Sequence, residues 1–462
     1  MPTTTDAPAD AGIGDATKSW GRSCPALSGE FDRDAHAFSA FWREGADLRA
    51  KLPAKLRRND VEAAAAKFIF EAERKARELF LSAHVESVYR RLTDSHRRFV
   101  RAERLVYDAA AIVPGLTPTR ELVGRDDAKP LKEKDGFEID QGIFLSHVLA
   151  DAGAGRHLCH AMLLPRAETA EHLARFLERG SIDLGRASVT RIGRASLLEM
   201  RNPRFLNAMD DTTADPIEIA TDLAILDPET GIAVLRGGVV DSPKYAGRRL
   251  FSAGINLTLL YQGKISFLFY FRHLLGSENK WLRGLARPDL PPDEAVGATT
   301  EKPWIAAVDG FAIGGGCQHL LVMDYTLAAS DAYLTLPARK EGIIPGAANM
   351  RLPRFTGDRV ARQAIMYGRR LDCDSPEGRL ICDEVVPPDQ MDAAVSRVVD
   401  NLTGAGVVSA VANRRTFRVA QEPLGTFLEY AAVYAREQAY CHFSPALIEN
   451  LERHWSAQDR KP

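Results

Sequence analysis

Residues 306–329 read AAVDGFAIGGGCQHLLVMDYTLAA. Together with Trp304 and Ile305 just before it, the stretch predicts a strand to Val308, a turn holding Gly314, Gly315 and Gly316, a helix through Gln318–Val322, and a strand over Tyr325–Ala328. Strand, helix and strand in that order imply parallel pairing with a crossover. Three adjacent glycines have no Cβ, so a ligand can approach the main chain, and the N–H groups opening a helix point outward with a favourable dipole. Taken alone, such a triplet is better read as a tight turn with no ligand. The surrounding blocks have to decide.

Upstream, GRRLFSAGINL (247–257) places the small residues Ser252, Ala253 and Gly254 at the end of an apolar run, with a second exposed backbone donor expected at Ile255. Before it, Ser188–Arg191 and Ser196–Met200 flank an Ile-Gly-Arg turn and read as a hairpin. A helix with Pro216 in its first turn and running to about Leu226 then leads to a buried strand at Ile232–Leu235. Residues 185–395 are therefore expected to form an α/β core.

Residues 21–184 look helical. After Asp60 as N-cap, Val61, Ala65, Phe68, Ala72, Ala76 and Leu79 recur on one face, further helices cover 85–92, 97–110, 143–162 and 168–179, and Gly180 is a stop signal. Residues 396–462 form a second helical segment, broken at Pro423 and Pro445. Residues 1–20, poor in large apolar side chains, are expected to be a mobile tail. At 462 residues, more than one core is expected.

Composition narrows the function. With 60 Lys and Arg against 62 Asp and Glu, the net charge of -2 offers no field for nucleic acid or an anionic membrane. Hydrophobic content of 45% and charged content of 26% are those of an ordinary globular protein. No apolar run approaches the roughly 20 residues of a membrane span. Six cysteines lack zinc-site spacing and no apolar signal segment opens the chain, which points to a reducing cytoplasm. His157, Cys159 and His160 lie close together, but no carboxylate or further Cys completes a metal set, and helix packing explains them as well; His319 reads as packing too. No metal is expected.

With KEGIIPGAANMRLPR (340–354), the two glycine-bearing blocks resemble the crotonase, or enoyl-CoA hydratase/isomerase, superfamily in motif, order and spacing. The resemblance implies a crotonase-like spiral of stacked β-α-β units, here with an added helical N-terminal domain and a helical C-terminal segment. It implies an oxyanion hole made by the N–H groups of Ile255 and Gly315, which should converge on one thioester oxygen and stabilise its developing charge. It also implies a coenzyme A thioester lying past Ala253. Arg249 would then meet a phosphate or remain a solvated cation. Trimers or hexamers are the usual assembly.

Family hydratases add water with two glutamates, at positions that here hold Gln318 and Ala338. Neither an amide nor a methyl group can exchange protons usefully, so hydration is unsupported. Glu341 falls at a different register. Over about residues 60–455, segments such as QGIFLSHVLA (141–150), GRHLCHAMLLPR (155–166) and SPALIENLERHW (444–455) resemble the cofactor-independent dioxygenases of arylacetyl-CoA thioesters. That implies dioxygen as second substrate, no metal or organic cofactor, and an α-keto acid and free coenzyme A as products. Polar residues at the aromatic end of such a pocket are replaced here by Met209 and Ser242, and an arginine is either displaced to Arg272 or replaced by His273 or Leu274. A less polar or differently substituted acyl group follows, unless Met209 is core packing and Ser242 a solvent-facing hydroxyl. Two other classes stay open: an oxygen-independent acyl-CoA hydrolase or isomerase, and a silent scaffold.

Overall fold

The computed structural model describes residues 9–245 and 247–460. Among these residues ten strands build two sheets: β1 (Ser181–Asp183), β2 (Ala187–Ile192), β3 (Ala195–Met200), β4 (Ile232–Gly237), β5 (Trp304–Val308), β6 (Phe311–Ile313), β7 (Tyr325–Ala329), β8 (Tyr333–Thr335), β9 (Leu371–Asp372) and β10 (Glu384–Val386). The larger sheet runs β1-β2-β3-β4-β5-β7-β10, and the smaller β6-β8-β9. The β2–β3 hairpin is antiparallel, whereas β3, β4, β5, β7 and β10 pair in parallel, as crossover connections require. β4 and β5 are buried along their whole length, which is why Ile232–Leu235 and Trp304–Val308 are continuous apolar runs without alternation.

The N-terminal helices do not form a separate core. Among the described residues one continuous apolar cluster runs from Phe38 through the sheet to Leu451, with Val240, Leu250 and Phe311 set apart as a satellite. The helix Ile139–Ala150 makes the connection, because it is buried on nearly every side. Gly142 lets the helix Leu424–His442 come close: a Cβ there would lie 2.5 Å from that of Ala439 and 2.7 Å from the Ala435 carbonyl oxygen.

Several local expectations are corrected. A helix covers Ala9–Gly21 where a tail was expected. Trp20 explains this: it is buried, stacks on Phe41 at 4.4 Å and donates its indole N–H to the Phe41 carbonyl at 3.1 Å. The first eight residues lie outside those described. Asn59, not Asp60, caps the helix Asp60–Leu92, in a reciprocal box with Glu62. Residues 143–162 divide into Ile139–Ala150 and Ala152–Leu163, because Asp151 turns extended and caps the second helix through the N–H groups of Gly153 and Ala154. Pro216 lies inside the helix Asp211–Leu226, past its first turn. Among the described residues no helix is long and apolar enough to cross a membrane.

Candidate active site

Two backbone segments meet at the end of the parallel strands. Ser252 bridges to Ala312 in parallel: its N–H donates to the Phe311 carbonyl at 3.3 Å, and its carbonyl accepts from the Ile313 N–H at 3.0 Å. Past that bridge the segments stay close, with the Gly254 Cα 3.9 Å from where a Cβ on Gly315 would stand. Asn207 holds the first segment by donating its side-chain amide to the carbonyls of Gly238 and Leu250, both at 2.8 Å, and the Ser252 hydroxyl donates to the Asn207 carbonyl at 2.9 Å.

Both chains turn at a glycine. Gly254 has φ 82, and a Cβ on it would lie 2.6 Å from the Ile313 carbonyl oxygen and 3.3 Å from the Gly315 nitrogen. Gly314, with φ 52 and ψ −114, is in a region that residues with a side chain avoid. The Met209 N–H donates to the Gly254 carbonyl at 2.7 Å and the Asn256 N–H to the Met209 carbonyl at 2.8 Å, yet the N–H of Ile255 between them has no acceptor among the described residues. Gly315 opens the helix Gly315–Leu320, and its N–H likewise has none. Two unengaged donors therefore border one cleft.

Ile255, Leu274, Leu336, Ile343 and Ile344 make much of the wall apolar, and Gln318 and Ala338 both face inward. Met209 also lines the cleft, its Sδ 3.1 Å from His319 Nε2. His319 Nδ1 lies 3.1 Å from Glu278 Oε1, and Arg351 reaches the other Glu278 oxygen at 3.4 Å. Burial works against the Glu278 carboxylate, but His319 and Arg351 hold its pKa below the usual value. Burial pushes the His273 imidazole down to about 3, so it is neutral, and its Nε2 is buried without a partner.

Glu341 is different. It ends the helical turn Ala338–Glu341, lines the cleft, and its carboxyl is lifted from the ordinary 4.5 to about 7 by burial alone. No side-chain hydrogen bond or ion pair engages it among the described residues. Sequence alone assigns this carboxylate no role. The available signal was helical spacing: Glu341 follows Ala338 by three residues, so both share a face. Glu278, 37 residues upstream of Gly315, had no comparable signal.

Other predicted site residues fall elsewhere. Ser242 is not in the cleft; its carbonyl accepts from the Tyr245 N–H at 2.8 Å in a surface loop. Arg272 turns away to pair with Asp211 and Asp215, leaving His273 and Leu274 facing inward. Arg249 is paired with Glu199, which also holds Arg201 at 2.7 Å. Ala253 is half-buried and packs on the Val240, Leu250 and Phe311 cluster. The three residues weighed as a metal set are committed otherwise: His157 Nδ1 lies 2.8 Å from the Tyr89 hydroxyl and its Nε2 2.9 Å from the His96 carbonyl, while His160 Nε2 lies 3.0 Å from the Arg287 carbonyl. Burial lifts the Cys159 thiol to about 12.

Known proteins share this arrangement in sequence. The enoyl-CoA hydratase/isomerase family model matches residues 293–426. A (3,5-dihydroxyphenyl)acetyl-CoA 1,2-dioxygenase of Amycolatopsis orientalis is 44% identical over 416 residues, covering 90% of this chain and 94% of that protein. The chain belongs to the enoyl-CoA hydratase/isomerase, or crotonase, superfamily. A probable enoyl-CoA hydratase of Rhizobium meliloti (strain 1021) is 30% identical over 200 residues, 43% of this chain and 68% of that one. A solved enoyl-CoA hydratase of Mycobacterium avium subsp. paratuberculosis K-10 superposes on 61% of this chain and 98% of its own, with a TM-score of 0.48 and 20% identity. Within this crotonase member, Gln318 and Ala338 both lie at the cleft wall.

Proposed function

We propose that this crotonase is a dioxygenase of an arylacetyl-CoA-like thioester, giving an α-keto acid and free coenzyme A without metal or organic cofactor. The observation that carries this reading is the pair of unengaged N–H groups, Ile255 and Gly315, in a cleft where Gln318 and Ala338 leave no hydratase carboxylates. The 44% identity to a protein named as such a dioxygenase supports it.

The thioester oxygen sits between the Ile255 and Gly315 N–H groups, which stabilise the enolate formed when the α-proton leaves. The electron-rich α-carbon reduces dioxygen directly, and the resulting peroxide attacks the thioester carbonyl. Collapse releases coenzyme A and leaves both oxygen atoms in the acid. The apolar walls serve this chemistry by keeping water from quenching the carbanion. Gln318 stays neutral and positions rather than exchanges protons.

The nucleotide end passes Ala253; Arg249, committed to Glu199, drops out of the phosphate contact. At the acyl end, Met209, Leu274 and neutral His273 fit a group less polar than a dihydroxyphenyl ring. The enzyme works in the cytoplasm, in keeping with six unpaired cysteines, as a homotrimer or homohexamer.

Supplied with phenylacetyl-CoA or its 3,5-dihydroxy derivative, the enzyme should consume one dioxygen per coenzyme A released, keep its activity in chelator, and place isotopic oxygen from the gas in the product. Unchanged coenzyme A release under strict anaerobiosis would point instead to a hydrolase.

A further inference from the structure

Enolate formation needs a base, and the cleft contains one carboxylate with nothing else to do. We propose that Glu341 removes the α-proton of the bound thioester. This rests on the dioxygenase reading above.

Glu341 is 5% exposed, lines the same cleft as Ile255 and Gly315, and is placed by the fold rather than by a partner side chain. Its N–H donates to the Pro337 carbonyl at 3.0 Å, and the next residue, Gly342, ends the turn with φ 84. Gly342 packs on the helix Pro445–Trp455, where a Cβ would lie 3.1 Å from the Leu447 Cα, so the C-terminal segment fixes the direction in which Glu341 enters the cleft. Its Oε1 is 4.0 Å from where a Cβ on Gly314 would stand, one residue from the second oxyanion donor. A thioester oxygen bound by Ile255 and Gly315 therefore has its α-carbon in the neighbourhood of this carboxylate.

The other titratable groups facing the cleft are Tyr270, His273, Glu278, His319 and Tyr434. Glu278 is tied to His319 and Arg351. His319 is tied to Glu278 and Met209. The Tyr270 hydroxyl meets His442 Nδ1 at 3.0 Å. Burial raises the phenols of Tyr270 and Tyr434 far above neutrality and lowers His273, so none of these combines availability with useful basicity.

In the step, the Cα–H bond breaks, its proton goes to a Glu341 oxygen, and its electron pair becomes the enolate, with charge on the oxygen held by the two N–H groups. Dioxygen, the second substrate, then takes electrons from Cα. Run in D₂O under argon, the reversible part exchanges the α-hydrogens of phenylacetyl-CoA for deuterium.

The experiment measures that exchange by NMR, and oxygen uptake with the same thioester, for wild type, Glu341→Gln and Glu341→Asp. Glu341→Gln should lose both by on the order of a hundredfold or more while binding the thioester with unchanged Kd and melting as a folded protein. Glu341→Asp should recover part of both, and the acid limb of the wild-type kcat/KM profile should be absent from the residual activity of Glu341→Gln. Wild-type levels of exchange or oxygen uptake in a folded Glu341→Gln protein would overturn the assignment and leave the dioxygenase reading standing. Absence of both activities from the wild type would overturn both.

Discussion

Gly315 is a residue whose backbone matters more than its side chain. It is the first residue of the helix Gly315–Leu320, the position at which proline is tolerated because no helical acceptor awaits its N–H. Gly315→Pro should therefore remove an oxyanion donor with little loss of fold. Gly315→Ala is the control: it keeps the donor and presses a methyl on the flexible end of Met209, 2.5 Å away. We expect kcat for Gly315→Pro to fall on the order of a hundredfold below that of Gly315→Ala, with similar melting temperatures; equal kcat values would remove Gly315 from the oxyanion hole. Glu341 makes a separate prediction about stability. Its carboxyl titrates near the ordinary 4.5 when unfolded and near 7 when folded. Between those values the unfolded chain gives up a proton that the native state keeps, so stability is fully present below pH 4.5 and declines as pH rises to about 7. The loss is about 3 kcal/mol. Glu138, also lifted to about 7 by burial, declines over the same window. Glu341→Gln removes one contribution and should melt higher than wild type at pH 8 but not at pH 4.5. The backbone donors could be seen in the sequence because close approach forces glycine at 254 and 314. Ser242 and Arg272 could not, because nothing local says which way a loop hydroxyl or a helical arginine points.

At the scale of elements, periodicity served where helices were regular and amphipathic. It failed at a π-helical turn, Arg272–Ser277, which adds residues to the turn and rotates the side chains after it. That turn is the reason the register of Arg272, His273 and Leu274 was open in the sequence. It leads into the helix Glu278–Arg283, whose position under the cleft depends on a buried cation. Lys280 Nζ lies 2.6 Å from Asp222 and 2.8 Å from Glu218, with all three side chains excluded from solvent. The bridge ties the cleft floor to the helix Asp211–Leu226. Lys280→Met should leave the buried Asp222 without its cation, while Glu218 keeps Arg101 and Arg166, and cost about 3–5 kcal/mol, measured by denaturant unfolding. Combining it with Asp222→Asn should recover part of that loss; a fully additive double variant would show that the bridge does not couple the two helices.

The whole molecule has its outer surface partly inside out. In the helix Val408–Gln421 the buried residues are Arg414 and Arg418, which pair with Glu301 at 2.9 and 2.7 Å, while Val408 is 83% and Phe417 62% exposed. Met366 and Tyr367, at the end of the helix Ala348–Tyr367, are also exposed. Isolated apolar side chains on a surface need no explanation, but a helix that buries its cations and exposes its apolar residues does. Its polar face is already spent on Glu301, Asp324 and Glu294, so a further copy of this chain is the natural cover for the remaining face. Closed symmetry, as in the proposed homotrimer or homohexamer, would repeat the contact around an axis and leave no apolar edge open. Light scattering should therefore return three or six chain masses for the wild type. Phe417→Asp, which puts a charge into the contact and touches neither the arginine pairs nor the cleft, should shift the distribution toward the single chain while leaving its circular dichroism unchanged. A wild-type protein that runs as a single chain at every concentration would refute the assembly, whereas an unaltered oligomer in Phe417→Asp would move the contact off this helix.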